Sequence, residues 1–443
     1  MIRLYLLLLV VVGAIPQAVA QFSASGQLRI RSELRNGQGA PSVKDTAAAF
    51  FTSQRTRLNL GFAAHRVKIF AAIQDVRVWG QDGSTTNRTT SDANDGFMIH
   101  EAWTELSLLD TGRTKPNFTL KAGRQELVYD DVRLLGNLDW LQQARRHDAV
   151  LLKFEHHGWI AHAGAAFNQN AERKSNTIYN GASLYKSMQF LYLGKKQKWG
   201  SASFLFFKDD FSKFHFARSD SLKQTPIYDR SVWSRITSGF YFNASFNKFS
   251  FVGSAYYQGG HYREGTSLNE YLLSLSAQYT FTPKISLGPG IDITSGNNGS
   301  DATRKYQRFD PLYGTPHKFW GYMDYFYVAD GFGSNGLIDF YLKARHKPED
   351  KIILSLDVHR FVLPDAVVNE SGEAMKKLLA TEVDLTVNYA ITKEVVLEGG
   401  ASYMFGTSTM SSAHVKNIPN ASANGSWAYL MLIVKPEIIN RKN

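Results

Sequence analysis

The connections between the apolar segments of this chain alternate in length, short then long, from one end to the other. Short polar turns are read at Ala64-His65-Arg66, His157-Gly158, Lys196-Gln197, Asn247-Lys248, Thr282-Pro283, Lys347-Pro348-Glu349 and Thr392-Lys393. Between them lie longer loops at 35–53, 80–96, 127–146, 169–183, 209–232, 296–335, 363–379 and 406–425. A water-soluble sheet has no reason to keep every long loop at one end, and long structureless loops count against a compact soluble domain. A bacterial outer-membrane barrel has that reason, with tight turns on the periplasmic side and long loops outside.

The segments themselves alternate with period two. Residues 22–31 put Phe22, Ala24, Leu28 and Ile30 on one face and Ser23, Gln27, Arg29 and Arg31 on the other. Residues 55–62 put Thr56, Leu58, Leu60 and Phe62 against Arg55, Arg57 and Asn59, and 67–74 continue the pattern. Further strands are read near 98–108, 117–126, 148–156, 159–168, 185–195, 199–208, 233–247, 249–262, 268–282, 284–295, 336–347, 351–362, 380–391, 394–405 and 426–435. The segment 320–330 reads either as a strand or as a fold over the mouth. The expected class is all-β: a single transmembrane antiparallel β-barrel of about 18 strands (16–18), with short periplasmic turns and long extracellular loops. A barrel of that size is expected to enclose an aqueous channel.

Residues 1–20 read as a secretory signal peptide: Arg3, an apolar run from Leu4 to Val12, and the small-x-small site at Ala18-Val19-Ala20. Residues 21–436 are expected to form the barrel and 437–443 a polar C-terminal tail. The chain has no Cys, so an exported protein of this size must hold itself by packing or backbone pairing. These features place the mature chain in a Gram-negative outer membrane, in contact with outer-membrane lipid.

The formal net charge is +11. Export argues against nucleic acid as the reason for it and leaves anionic lipid or an anionic solute. Alternation puts Arg29, Arg31, Arg55, Arg57, Lys68, Lys121, Lys153, Lys343 and Arg345 on the lumen face, and Arg77, Arg124 and Arg360 are assigned there too. An Arg facing lipid at the midplane would cost about 2–4 kcal/mol. The guanidinium fork suits carboxylate oxygens, and rings of Arg and Lys select anions. The opposing reading is that many of these cations pair with Glu101, Glu105 and Glu155 and only stiffen the wall.

The stretch 121–149 is the most unusual. It crowds Arg124, Glu126, Asp130, Asp131, Arg133, Asp139, Arg145, Arg146 and Asp148 among Leu134, Leu135, Leu138, Trp140 and Leu141. An external loop so apolar is expected to fold into the barrel mouth and narrow it, rather than pack on the rim.

GRQEL at 123–127, D-x-R-L at 131–134, G-x-L-D-W at 136–140 and R-x-x-D-A at 145–149 resemble the signature of the alginate export family. RTRLNLGF at 55–62, QDVRVWG at 74–80 and HEAWTEL at 100–106 fit the same pattern. The resemblance implies an 18-stranded barrel whose Arg- and Lys-lined pore passes an anionic polysaccharide. It implies that Arg55, Arg57, Arg77, Arg124, Arg133 and Arg145 line the pore, with Asp131 and Asp139 as counter-charges at a constriction. Together with the alternation, the anion-binding set is Arg29, Arg31, Arg55, Arg57, Arg77, Lys121, Arg124, Arg133, Arg145, Arg146, Lys153 and Arg345. The counter-charges are Glu126, Asp130, Asp131 and Asp139.

No catalytic group, cofactor or metal ligand is assigned. His100-Glu101 is not followed by a second His at 104, and the segment alternates as a strand. Asp292, Asp301, Asp310 and Asp330 lack EF-hand spacing, and no G-x-S-x-G elbow occurs. The expected function is an outer-membrane channel for an anionic polysaccharide or oligosaccharide, working with or without a periplasmic export partner. The rivals are a general or anion-selective porin for small carboxylates, and a plugged barrel acting as adhesin or scaffold through the 296–335 loop.

Overall fold

A computed structural model describes residues 21–84, 86–90, 96–109, 115–175, 179, 185–216, 226–297, 307–328 and 332–440. The leader expected at 1–20 lies outside them, as do Asp301, Asp330 and residues 441–443. Among the described residues no helix is long and apolar enough to cross a membrane. Crossing is by strands.

The first half of the wall is β1 (Gln21–Asn36), β2 (Ala49–Ala63), β3 (Val67–Val78), β4 (Phe97–Ser107), β5 (Asn117–Gln125), β6 (His147–His156), β7 (Trp159–Phe167), β8 (Ser187–Gln197) and β9 (Gly200–Phe216). The second half is β10 (Pro226–Phe246), β11 (Phe249–His261), β12 (Ser267–Thr282), β13 (Ile285–Thr294), β14 (Leu337–Glu349), β15 (Ile352–Val362), β16 (Leu378–Ala390), β17 (Val395–Gly406) and β18 (Asn424–Val434). Each pairs antiparallel with its chain neighbours, and β1 pairs with β18 from Leu28↔Val434 to Asn36↔Ser426. The barrel is closed, so no long edge is left unpaired.

Three expectations are corrected by the pairing. Residues Glu437–Asn440 are not a free tail but a short strand, β19, paired with Ser23–Ser25. Pro436 has no N–H for the ladder, so the wall breaks there and resumes, with the Pro436 carbonyl accepting from the Gly26 N–H at 3.0 Å. The expected loop 209–232 is largely strand, because β9 runs to Phe216 and β10 starts at Pro226. Its polar residues broke the alternation in the sequence but are satisfied in the wall: Arg235 donates to Asp209 at 3.0 Å, and Ser187 to Asp210 at 2.7 Å. The turns expected at 196–197 and 347–349 fall two to three residues later, after Gln197 and Glu349.

The outer face is apolar where it meets lipid, with Leu58, Ile69, Val150, Leu152, Leu193, Phe240, Leu273 and Leu342 exposed. Exposed aromatics ring both ends. Trp159, Trp199, Phe246 and Phe281 sit at the turn end, and Phe50, Trp79, Phe97 and Phe405 at the loop end. These are the two interfacial girdles of a membrane barrel.

Much of the interior is packed rather than aqueous, contrary to expectation. The 126–146 connection and the described part of 295–336 turn inward. Leu127, Leu134, Leu135, Phe309, Tyr313, Trp320, Met323, Tyr325, Phe326 and Phe332 are buried there against wall residues such as Phe190, Phe207, Tyr256, Phe361, Met404 and Trp427. The described part of the segment 320–330, residues 320–328, is not strand; it folds inward at the loop end of the barrel, where the Gly39 N–H donates to the Met323 carbonyl at 2.7 Å. Each large apolar side chain so buried stabilises by about 1.5–3 kcal/mol relative to exposure, which is why these loops do not stay in water. The two loops also pair with each other. Tyr313 N–H donates to the Leu134 carbonyl at 2.9 Å, Gly136 N–H to Tyr313 at 3.0 Å, and Thr315 N–H to Val132 at 2.9 Å. Gly314 sits at their closest approach, where a Cβ would lie 1.9 Å from the Arg133 carbonyl oxygen.

Candidate pore constriction

The tip of the 126–146 loop, Asp139 to Gln142, docks on β1 and β2. Arg29 donates from Nη1 to the Asp139 carbonyl (2.7 Å), from Nη2 to the Leu141 carbonyl (3.0 Å) and from Nε to Gln142 Oε1 (2.8 Å). Arg31 donates to the Trp140 carbonyl at 2.8 Å and lies 4.2 Å over the Trp140 ring. Arg55 donates to Asp139 Oδ1 at 2.8 Å and to the Gln142 carbonyl at 3.3 Å. All three side chains face the interior, as alternation required, and their donors are largely taken by the loop. They hold the constriction before they can hold a solute.

Arg57 differs. Its Nε and Nη2 donate to Gln74 Oε1 at 2.9 and 2.7 Å, while Nη1 stands 3.9 Å from Glu126 Oε1. Lys121 faces inward over the Trp103 ring at 3.8 Å. Lys153 and Lys68 share Glu105, at 3.1 and 3.2 Å. Lys343 and Arg345 share Asp357 on the far wall. Glu105 thus behaves as the wall-stiffening reading expects. Glu155 does not, since its partner is His162 at 3.1 Å.

Four assigned lining residues do not face the lumen. Gln74 and Ala72 of β3 are buried inward, so Arg77 projects outward, paired with Asp75. Gln125 and Thr119 of β5 are buried inward, so Arg124 is outside, paired with Asp148 at 2.8 Å. Arg146 lies beside that pair at the loop end of β6. Arg360 is likewise exposed between buried His359 and Phe361. All sit near the extracellular rim, where an outward Arg costs only about 0–1 kcal/mol rather than the midplane price.

The two remaining loop cations are enclosed. Arg133 pairs with Asp292 of β13 at 2.7 Å and with Asp131 at 3.5 Å, and stacks 3.9 Å over Phe319. Arg145 donates to the Gly314 carbonyl at 2.7 Å, and burial pushes its guanidinium below the ordinary value. Both join the loops to each other or to the wall. Of the counter-charges, Asp130 accepts from Tyr192 (2.8 Å) and Ser203 (2.7 Å), and burial raises its carboxyl. Burial also pushes Asp139 upward, but Arg55 and Arg29 outweigh it and hold the carboxyl below the ordinary range. Glu126 accepts from Asn137 at 2.8 Å and meets His100 Nε2 at 2.7 Å.

Between the docked loop and the β1–β2 wall lies a polar cavity of about 310 Å3. Ser25, Gly26, Gln27, Arg55, Arg57, Asn59, Glu126, Asn137, Asp139 and Lys435 line it. Ser25 and Asn59 belong to the periplasmic half of their strands and Lys435 follows the periplasmic end of β18, so the cavity lies on that side of the loop. Asp139 keeps 45% of its side chain exposed there, against 1% for Arg55. Lys435 escaped the sequence assignment. It continues the inward series Trp427, Tyr429, Met431 and Ile433, which was the available signal. Asn137, Gln74 and Gln142 were also missed, because neutral amides on a loop or lumen wall carry no pattern.

The sequence matches the alginate export family over residues 21–413. The chain belongs to that family. By overall structure it is similar to Acinetobacter baumannii OccAB4, with a TM-score of 0.60 and 11% identity over 94% of this chain and 98% of the other. It is also similar to Pseudomonas aeruginosa OccK9 (OpdG), at TM-score 0.57 and 14% identity over 94% and 98% of the two chains. Pseudomonas aeruginosa OpdO gives 0.58 and 11% over the same shares. Likeness at such identity establishes the porin-type barrel fold alone. No curated protein matches by sequence. Family and fold together make this alginate export family member an outer-membrane channel of a Gram-negative bacterium, built as transport porins are rather than as enzymes are.

Proposed function

We propose that this channel passes anionic solutes, foremost an alginate-like polysaccharide or oligouronate, along the β1–β6 side of the barrel. One observation carries the reading. Beside the apolar loops packed inside the barrel, a polar cavity is lined by Arg55, Arg57 and Lys435 against Glu126 and Asp139. Lys121, Lys153 and Lys68 continue the cation series on the adjoining strands. A uronate carboxylate would exchange between these groups, and the nearby Glu126 and Asp139 would keep any one site weak. Weak, repeated sites allow exit as well as entry. No covalent chemistry is required. A periplasmic export partner would meet the mouth beside Ser25 and Lys435.

The test is single-channel recording in planar bilayers under a salt gradient. Anion selectivity and block by oligouronate are expected, and both should weaken in the Arg57→Ala/Lys435→Ala double variant. Cation selectivity, or block indifferent to that double variant, overturns the reading. The size of the cavity, at the low end of small-molecule sites, favours a second solute class, small carboxylates. Conduction of a monouronate without block by longer chains would select it. The adhesin reading has no support from the 296–335 loop, whose described residues from Phe309 to Phe332 are mostly buried inside the barrel.

A further inference from the structure

At the base of the constriction loop, β4 departs from regular alternation. Its pairing with β3 slips between Ala72↔Glu101 and Ile73↔Ile99, leaving His100 as the extra residue of a bulge. The bulge turns two successive side chains, His100 and Glu101, toward the interior. Opposite them stands Glu126, the first residue after β5 and the root of the constriction loop. The ligand atoms of His100, Glu101 and Glu126 lie within 4.8 Å of one another, the one such trio among the described residues.

We propose that these three residues form a divalent transition-metal site of the Zn2+ type, tying the β4 wall to the root of the loop. An imidazole nitrogen with two carboxylates is a donor set that Zn2+ accepts. The outer support is in place. Asn137 donates to Glu126 Oε2 at 2.8 Å, while Trp103 Nε1 and the Glu126 N–H both donate to Glu101 Oε2, at 3.1 and 3.0 Å. Held this way, Glu101 presents its other oxygen, Oε1, and Glu126 Oε1 faces His100 Nε2, a hydrogen bond that a metal would replace. His100 is fully buried, and Glu126 Oε1, at 2.7 Å, is the hydrogen-bond partner of its ring. Arg57 and Lys121 face both carboxylates, and the Arg57 nitrogen stands 3.9 Å from Glu126. Glu126 also lines the polar cavity, which supplies an entry path for the ion.

The test uses the full barrel, folded in detergent, stripped with EDTA and titrated with ZnCl2 by calorimetry. His156→Ala/His157→Ala serves as the background, so that this tandem pair does not contribute. One site per chain is expected. Its affinity should be abolished by His100→Ala and fall roughly tenfold to a hundredfold in Asn137→Ala, the effect of losing an outer-shell partner. Hydrogen exchange across 127–146 should slow on adding ZnCl2. Heat-modifiable gel mobility checks folding, and the isosteric Glu101→Gln replaces His100→Ala if the latter fails to fold. Absence of a site in the background protein, or affinity unchanged in His100→Ala and Glu101→Gln, overturns the proposal.

Discussion

Arginines that look alike in the sequence divide by what occupies their donors. Arg55 spends its fork on Asp139 and the Gln142 carbonyl, whereas Arg57 rests on a neutral Gln74. Arg55→Ala should therefore act on the loop, leaving the half-exposed Asp139 without its closest partner at a cost of about 1 kcal/mol or less. It should raise the frequency of large-conductance openings in single-channel records. Arg57→Ala should leave conductance steps intact and shift the reversal potential toward cations. The Asp139 carboxyl is held below its ordinary value by Arg55 and Arg29, so its contribution is present above the unfolded value of about 3.9 and is lost as pH falls through the folded one. Opening events should become more frequent below about pH 4, and Asp139→Asn should remove that acid dependence. Alternation placed Arg29, Arg31, Arg55 and Arg57 correctly because they lie in regular strand. It did not place Arg77 and Arg124, for which the penalty for lipid exposure allowed an inward or an interfacial position and the family resemblance implied the lining. That penalty fades toward the interface, and no pattern in a short strand says how close to the interface a residue sits.

At the scale of elements, the 126–146 and 307–328 segments form one inserted unit, joined by the short ladder through Tyr313 and Gly136. Gly314→Ala would drive a Cβ into the Arg133 carbonyl, so the ladder must part. Greater tryptic cleavage at Arg133 or Arg145 than in the parent is the expected outcome. A third connection is tied in by Lys416, which donates to the carbonyls of Gly39 and Tyr325. Burial and the nearby Arg308 push this ammonium down to about 7. A released loop would take up a proton below the ordinary value of about 10.4. The packed arrangement therefore loses stability as pH falls from about 10 to 7, and no further below that. Protection against hydrogen exchange at residues 410–418, relative to the intrinsic rate at each pH, should fall over that interval and then level off, and Lys416→Met should flatten the profile. The apolar content of 127–146 announced an inward fold. The partner it found, 307–328, was not legible, because pairing between two irregular loops leaves no period in either.

For the whole molecule, the decisive feature is closure, with β1 against β18 and β19. The two faces should respond oppositely to the same change. Leu152→Lys on the lipid face should destabilise by about 2–4 kcal/mol in urea titration from liposomes. Lys121→Leu, over Trp103 in the lumen, should change stability little and lower anion conductance. The period-two segments and the alternation of short and long connections were enough by themselves to specify a membrane barrel of about 18 strands (16–18). Strand faces follow from a local rule, two residues per repeat, and turn positions from local chemistry. What occupies the lumen was decided only in three dimensions. Two loops far apart in the chain bury their aromatics against each other and the wall, and a polar cavity remains beside them, lined by Arg57, Lys435 and Asp139. Packing and ion pairing there join residues more than a hundred positions apart, as Arg29 joins Asp139 and Arg133 joins Asp292. Such contacts depend on volume and distance, which a linear pattern does not carry.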